Sequence, residues 1–263
     1  MVDSSHEAHN RPSEISKAGA VTAFAGMRYF DAYSFVFDSP RWAMNLLLGA
    51  ICALIPVVGG IVLWGYQFEI IESLHRDPRR TYPDFDFNHF VDYLKRGVWP
   101  FLVALVVTMV PSMVLVILAY AMMFAVGISA SLAGEETGMV IAVVGFLLGF
   151  AAIFAAAIAV GMISIPFVIR AGLAQDFGEA FRFDFVKSFI RKTWKEMILS
   201  MLFMMFSSVV VAMIGMLLCY FGMYPAMVLI MLAYAHIYYQ LYQVYLARGG
   251  KPIPLKPPLA TIV

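Results

Sequence analysis

Residues 99–126 read WPFLVALVVTMVPSMVLVILAYAMMFAV, a run that no charged side chain interrupts. A helix bathed in water cannot be apolar on every face. The run also exceeds the about 20 apolar residues that carry a helix across a hydrocarbon core. Lipid is therefore the solvent this stretch implies. The flanking charge extends the argument: no Lys or Arg occurs between Arg96 and Arg170, or between Lys195 and Arg248. The short segments bordering those gaps hold nearly all the basic residues. Because Lys and Arg collect on the cytoplasmic side of membrane proteins, those ends are predicted to stay inside.

Composition agrees. The chain is 62% hydrophobic and only 13% charged, with mean hydropathy +0.83, whereas about a quarter of residues are charged in soluble domains. Its net charge of +1 hides the asymmetry along the chain and gives nucleic acid no support as a partner. Cys52 and Cys219 both fall in apolar runs, where a thiol is a small hydrophobe and a disulfide framework is not implied. Residues 1–27 are read as a disordered cytoplasmic tail, since residues 1–17 are polar and lack the apolar core of a signal peptide. Residues 28–248 form the transmembrane helical domain and 249–263 a cytoplasmic tail.

The first apolar stretch, 43–71, is too long for one upright crossing and contains Pro56-Val57-Val58-Gly59-Gly60. Proline removes a backbone donor and glycine relaxes the backbone, so the helix breaks there. One long kinked span and a hairpin of two short arms, 43–55 and 61–75, are both compatible with it. Charge favours the hairpin, because a single crossing would put Arg28 and Arg41 opposite Arg76, Arg79, Arg80, Lys95 and Arg96. Residues 99–126 then cross outward, an acidic loop carries Glu135 and Glu136, and 139–167 return. Gly145, Gly149, Ala152, Ala156 and Ala159 form a small-residue stripe that lets helices approach closely in lipid. It is read as an internal packing face, with homodimerisation the alternative. Residues 197–219 and 226–246 complete six crossings in three hairpins, with both termini cytoplasmic.

A pattern precedes each hairpin. Aligned on Trp42, Trp99 and Trp194, the aromatic residues Tyr33, Phe90 and Phe185 lie nine positions earlier, and Phe37, Leu94 and Phe189 five earlier. Four residues make about one helical turn, so each pair shares a face, with Lys95, Arg96, Arg191 and Lys192 expected toward water. Such segments suit the membrane interface. Arg41, Trp42, Arg96, Trp99, Arg191, Lys192, Trp194 and Lys195 are the candidate contacts to anionic lipid headgroups or to a partner protein.

Several of these segments bear a family likeness. Tyr33-Ser34-Phe35-Val36-Phe37-Asp38-Ser39-Pro40-Arg41-Trp42, Leu54-Ile55-Pro56-Val57-Val58-Gly59, Gly65-Tyr66, Pro83-Asp84-Phe85 and Glu179-Ala180-Phe181-Arg182-Phe183 resemble domain of unknown function 4013. The resemblance covers roughly residues 28–246 and is most specific in its first third. It implies a multi-span, often six-helix, membrane protein with no assigned activity.

Catalytic signatures are lacking: the sequence has no His-Glu-x-x-His, no Cys-x-x-Cys and no Gly-rich phosphate loop after a strand. No cofactor or metal is implied, and enzyme activity is not expected. Three polar groups stand out. His236 lies midway along the last span with Gln240 and Gln243 on following turns, and an ionisable residue at depth is a functional candidate or interhelical glue. Glu69, Glu72 and His75 share a helix face as a sparse cation site or, more simply, a solvated helix end pairing with Arg76 or Arg79. Pro56, Gly59 and Gly60 are a helix break that could expose backbone to a substrate. Asn45, Ser207 and Ser208 read as hydrogen bonders, and Met201, Met204, Met205, Met213 and Met216 as adaptable filler. The sequence thus predicts an all-α inner-membrane bundle acting as a scaffold or lipid-organising protein, alone or with a membrane-protein partner or second copy. A small-molecule transporter is the alternative.

Overall fold

The computed structural model describes residues 26–78, 81–217 and 221–255. Expectations for residues 1–25, Arg79, Arg80, Cys219 and Lys256 fall outside these residues. Within them every regular element is helical. The helices are α1 (Asp31–Phe37), α2 (Trp42–Ala53), α3 (Val58–Arg76), α4 (Phe90–Ala104), α5 (Val110–Leu132), α6 (Glu135–Ala174), α7 (Phe177–Ala180), α8 (Phe183–Leu217) and α9 (Met223–Ala247).

Three helical stretches are long and apolar enough to cross a membrane: Phe87–Leu132, Glu135–Ala174 and Phe183–Leu217. Pro111 lies inside the first. Its missing N–H is absorbed by a π-helical segment, Leu105–Met109, just before it, so the chain passes from α4 into α5 without a loop. The acidic loop expected between residues 126 and 139 is almost absent. Instead α5 runs to Leu132, and Gly134, at φ 81°, alone supplies the left-handed turn into α6. Gly145 and Gly149 meet Val126 and Met122, so the small-residue stripe packs within this pair. Helix α6 has 40 residues, about 60 Å of helix, twice a hydrocarbon core of about 30 Å. Its burial divides accordingly: Ser164 to Ala174 are buried, whereas only Gly138 and Gly149 are buried before them.

The core gathers where the charged residues lie. It is built from α3, the end of α6, the start of α8 and α9, with Tyr66, Phe68, Ile71, Phe189, Tyr242 and Tyr245 fully enclosed. No residue of α5 is buried.

The break at Pro56 separates two helices, and the chain doubles back there: Gly59 sits against the carbonyl of Cys52, and further along the arms Asn45 and Leu48 line one cavity with Glu69. Val57 adopts φ 61°, ψ −59°, and the Val58 amide donates to the Pro56 carbonyl at 2.6 Å. This is a classical γ-turn, a strained form for a β-branched residue.

The segments preceding Trp99 and Trp194 are not separate in-plane helices. Residues 90–104 stay helical through Pro100 and pass by the π-helical segment into α5, and residues 183–217 are one helix, so each continues into the apolar stretch behind it; only the first copy, α1, stands apart from its hairpin. Their aromatic faces also turn inward. Phe185 and Phe189 pack on Tyr245, at ring separations of 5.2 and 4.9 Å, because the charged end of the bundle has its own protein core for them to fill.

Candidate functional site

Helices α3 and α4 cross at unusually short range. A Cβ on Gly65 would collide with the Tyr93 carbonyl, and one on Gly97 with that of Ile61. This contact carries Arg96, the neighbour of Gly97, to the face of α3 that bears Glu69 and Glu72, one and two turns beyond Gly65. The Arg96 guanidinium donates through Nη1 to Glu69 Oε2 and through Nη2 to Glu72 Oε2. Arg76 closes the set, donating from Nε and Nη2 to Glu72 Oε1 at 2.8 and 2.6 Å. Two carboxylates thus meet two guanidiniums. Arg96 is 2% exposed, Glu69 6% and Glu72 4%. Charges so buried persist only when paired. Arg96 Nε has no partner among the described residues.

These positions revise three expectations. Glu69 and Glu72 are not a solvated helix end, although Glu72 does pair with Arg76. Arg96 does not face water or lipid, because the Gly65–Gly97 crossing draws it inward. His75 does not join the carboxylates: its Nδ1 lies 2.9 Å from Gln243 Nε2, and its ring stands against Tyr242 at 5.2 Å. Arg96 and Gly97 carried no sequence signal separating them from an ordinary basic flank. Only Gly65, met again 32 residues later by Gly97, hinted at a close crossing.

Beside Glu69 lies a cavity of about 510 Å³ that Asn45, Asp84, His89 and Tyr93 also line. Its polar groups largely serve the fold. Asp84 Oδ1 accepts from Asn45 Nδ2 at 3.0 Å and from Ser39 Oγ at 3.3 Å. Asn45 Oδ1 accepts from the Phe85 amide at 3.0 Å, and Tyr66 Oη donates to the Pro83 carbonyl at 2.8 Å. Tyr82 Oη donates to the Val36 carbonyl at 2.7 Å. The motif segments around Ser39, Tyr66 and Pro83-Asp84-Phe85 therefore knit one joint that docks the loop after α3 onto α1 and α2.

On α9, Gln240 is buried and acts as a clasp: Oε1 accepts from the Arg28 amide at 2.7 Å, and Nε2 donates to the Arg28 carbonyl at 3.0 Å. That orientation fixes its neighbour. The second Nε2 proton points to His236 Nδ1 at 3.1 Å, so Nδ1 accepts and the imidazole proton sits on Nε2. The ring stacks on Phe35 at 4.6 Å and borders a cavity of about 450 Å³ with Asp31, Asp38 and Tyr82. Gln243 is on another face, with His75. A further buried cation, Arg170, is held by Glu179, through Nε to its carbonyl and Nη2 to Oε2, both at 2.6 Å, and lies over the Phe185 ring.

The remaining candidates are peripheral. Pro56 and Gly60 are exposed, while Gly59 is wedged against Cys52. Arg41, Trp42, Trp99, Arg191, Trp194 and Lys195 are exposed, Arg41 lying 3.7 Å from Asp84. Lys192 is half-buried and donates to the Arg248 carbonyl. Among the described residues no group of three or more His, Cys, Asp or Glu could hold a metal ion.

Among the described residues the regular structure is all helical, Glu69, Glu72, Arg96 and Arg170 are buried in ion pairs, and three helices are long and apolar enough to cross a membrane, the make-up of a membrane-type helical protein. The profile of the family described as protein of unknown function (DUF4013) matches residues 48–220, and the chain belongs to that family. No curated protein and no solved structure matches it.

Proposed function

We propose that this is a multi-pass protein of the cell (inner) membrane, with both termini cytoplasmic and six membrane segments in three hairpins, α2–α3, α5–α6 and α8–α9. It serves as a non-enzymatic scaffold that organises lipid or a membrane-protein partner. The carrying observation is where its polar groups go. Glu69, Glu72, Arg96 and Arg76 neutralise one another, and Arg170 is taken by Glu179. Gln240 is spent on the Arg28 backbone. Away from that charged end the outward surface is apolar helix: α5 exposes Met113, Val116, Ile117, Tyr120 and Phe124. The positive-inside bias supports the orientation.

The permease alternative draws less support. A substrate path needs free backbone at the break, and there Gly59 is sealed against Cys52 and the Pro56 carbonyl is used by Val58.

Extraction of the full chain in mild detergent, followed by identification of bound lipids and proteins, tests the reading. A lipid or partner retained in fixed ratio is expected. Solute flux through proteoliposomes of the purified chain, with nothing retained, would overturn it.

A further inference from the structure

Helix α8 changes solvent along one edge. Lys187, Arg191 and Lys195 follow one another at intervals of one helical turn and are all exposed. Neither Lys187 nor Arg191 has an ion-pair or hydrogen-bond partner among the described residues. Lys195 lies over the ring of Trp194, with Nζ 5.5 Å from its centroid. Glu196, the carboxylate next to Lys195 in sequence, feels that charge but accepts its hydrogen bonds from Arg248, at 2.5 and 2.9 Å. Asp184 is the one acidic residue on the same edge.

Five turns of an α-helix contain 18 residues. Met205, Val209 and Met213 each lie 18 positions after Lys187, Arg191 and Lys195 (205 − 187, 209 − 191, 213 − 195), so they occupy the same edge, and all three are exposed. One straight edge thus bears three cations with no ion pair among the described residues, Trp194 between the second and third, and then apolar side chains. The depth also fits. Half a hydrocarbon core is about 15 Å, or about ten helical residues, which from Lys195 reaches Met205 and the exposed ring of Phe206.

From this we infer that the Lys187–Arg191–Lys195 edge of α8 is a binding site for an anionic phospholipid, its phosphodiester headgroup on the cations and its acyl chains along the Met205–Phe206 surface. Guanidinium and ammonium groups recognise phosphate through charge-assisted hydrogen bonds. Trp194 suits the headgroup level between them. The site rests on the membrane reading above and gives it a ligand class.

Native mass spectrometry of the full chain, purified from bilayers of mixed phosphatidylglycerol and phosphatidylcholine, tests the site. The wild type should retain phosphatidylglycerol in preference, and a Lys187→Gln/Arg191→Gln/Lys195→Gln variant should lose it, by about fivefold for each cation removed. A Lys251→Gln control should retain it, and soluble glycerophosphate should not displace it. Unchanged melting of the triple variant in detergent shows that the fold is intact. If that variant misfolds, a Lys187→Arg/Lys195→Arg variant that keeps the lipid still supports the site, and one that loses it overturns it. Equal retention by wild type and triple variant, displacement by glycerophosphate, or loss of a bound protein in place of the lipid would also overturn it. Failure of the membrane reading is a separate result: the chain would then stay soluble and monodisperse without detergent.

Discussion

Gly97 of α4 rests on the backbone of Gly65 in α3, where a Cβ on Gly97 would stand 2.8 Å from the Gly65 amide nitrogen. Small residues admit such contacts, which in lipid supply much of the attraction between helices. Here the contact also decides electrostatics. With the axes this close, the Arg96 side chain enters the interface and reaches both Glu69 and Glu72. A wider crossing would strand Glu69 and leave Glu72 to Arg76 alone.

Gly97→Ala should therefore destabilise the protein by about 3 kcal/mol, the upper range for overpacking, because the atoms it strikes are backbone and cannot rotate away. Gly60→Ala is the matched control, since a Cβ there meets nothing within 4 Å. It should raise stability by about 0.5–1 kcal/mol through reduced backbone freedom in the unfolded chain. Thermal unfolding of both variants in the same detergent checks the pair. Equal melting temperatures would refute the close crossing.

Arg96→Met should cost about 3–5 kcal/mol, since it leaves Glu69 and Glu72 buried with only Arg76 to neutralise them. Adding Glu69→Gln to that variant should restore part of the loss by removing the stranded charge. The double-mutant cycle is the measurement, and simple additivity of the two single changes would show that the groups do not interact.

The long apolar helices were legible because their hydrophobicity is one-dimensional: residues 99–126 and 139–167 declare their solvent without reference to any neighbour. The break at Pro56 was legible for a similar reason, since proline and glycine act locally. The fate of Arg96 was not. Its sequence surroundings match those of Arg191, yet one is buried and the other exposed, and the difference lies in Gly65, a residue far away in sequence that admits α4. His75 likewise shares a helical face with Glu72, but its partner, Gln243, arrives from the last helix. The recurring aromatics suit the membrane interface by sequence because periodicity identifies an apolar face without saying whether lipid or protein covers it. Tyr245, which covers Phe185 and Phe189, comes from the far end of the chain.

Val57→Gly should stabilise the protein by about 1 kcal/mol, although a Val→Gly change is ordinarily harmful. Val57 is 68% exposed and holds φ 61° in its γ-turn, so little packing is lost while strain on the order of 1–3 kcal/mol is relieved. A lowered melting temperature would show that the turn is not strained.

His236→Phe should fold with a loss of about 1 kcal/mol, because a phenyl ring keeps the stack on Phe35 and gives up only the acceptor for one Gln240 proton. Gln240→Ala should cost more, about 2–3 kcal/mol, since it leaves both the amide and the carbonyl of Arg28 without their partner. Comparing the two by chemical unfolding decides which residue holds α9 to the segment before α1. A larger effect at His236 would assign it a role beyond packing.

The orientation in the membrane is tested by single cysteines in a chain whose Cys52 and Cys219 are replaced by Ala. Glu135 and Glu136 stand exposed at the α5–α6 turn, with no basic residue between Arg96 and Arg170, whereas Lys251 follows the basic end of α9. Acidic residues contribute little to orientation, so the prediction depends on where Lys and Arg are. A membrane-impermeant maleimide applied to intact cells should label Glu135→Cys and spare Lys251→Cys, and lysis should expose the second. Labelling of both sites from the outside would place the start of α6 and the end of α9 on one side. That would break the three-hairpin arrangement while leaving the helices themselves in place.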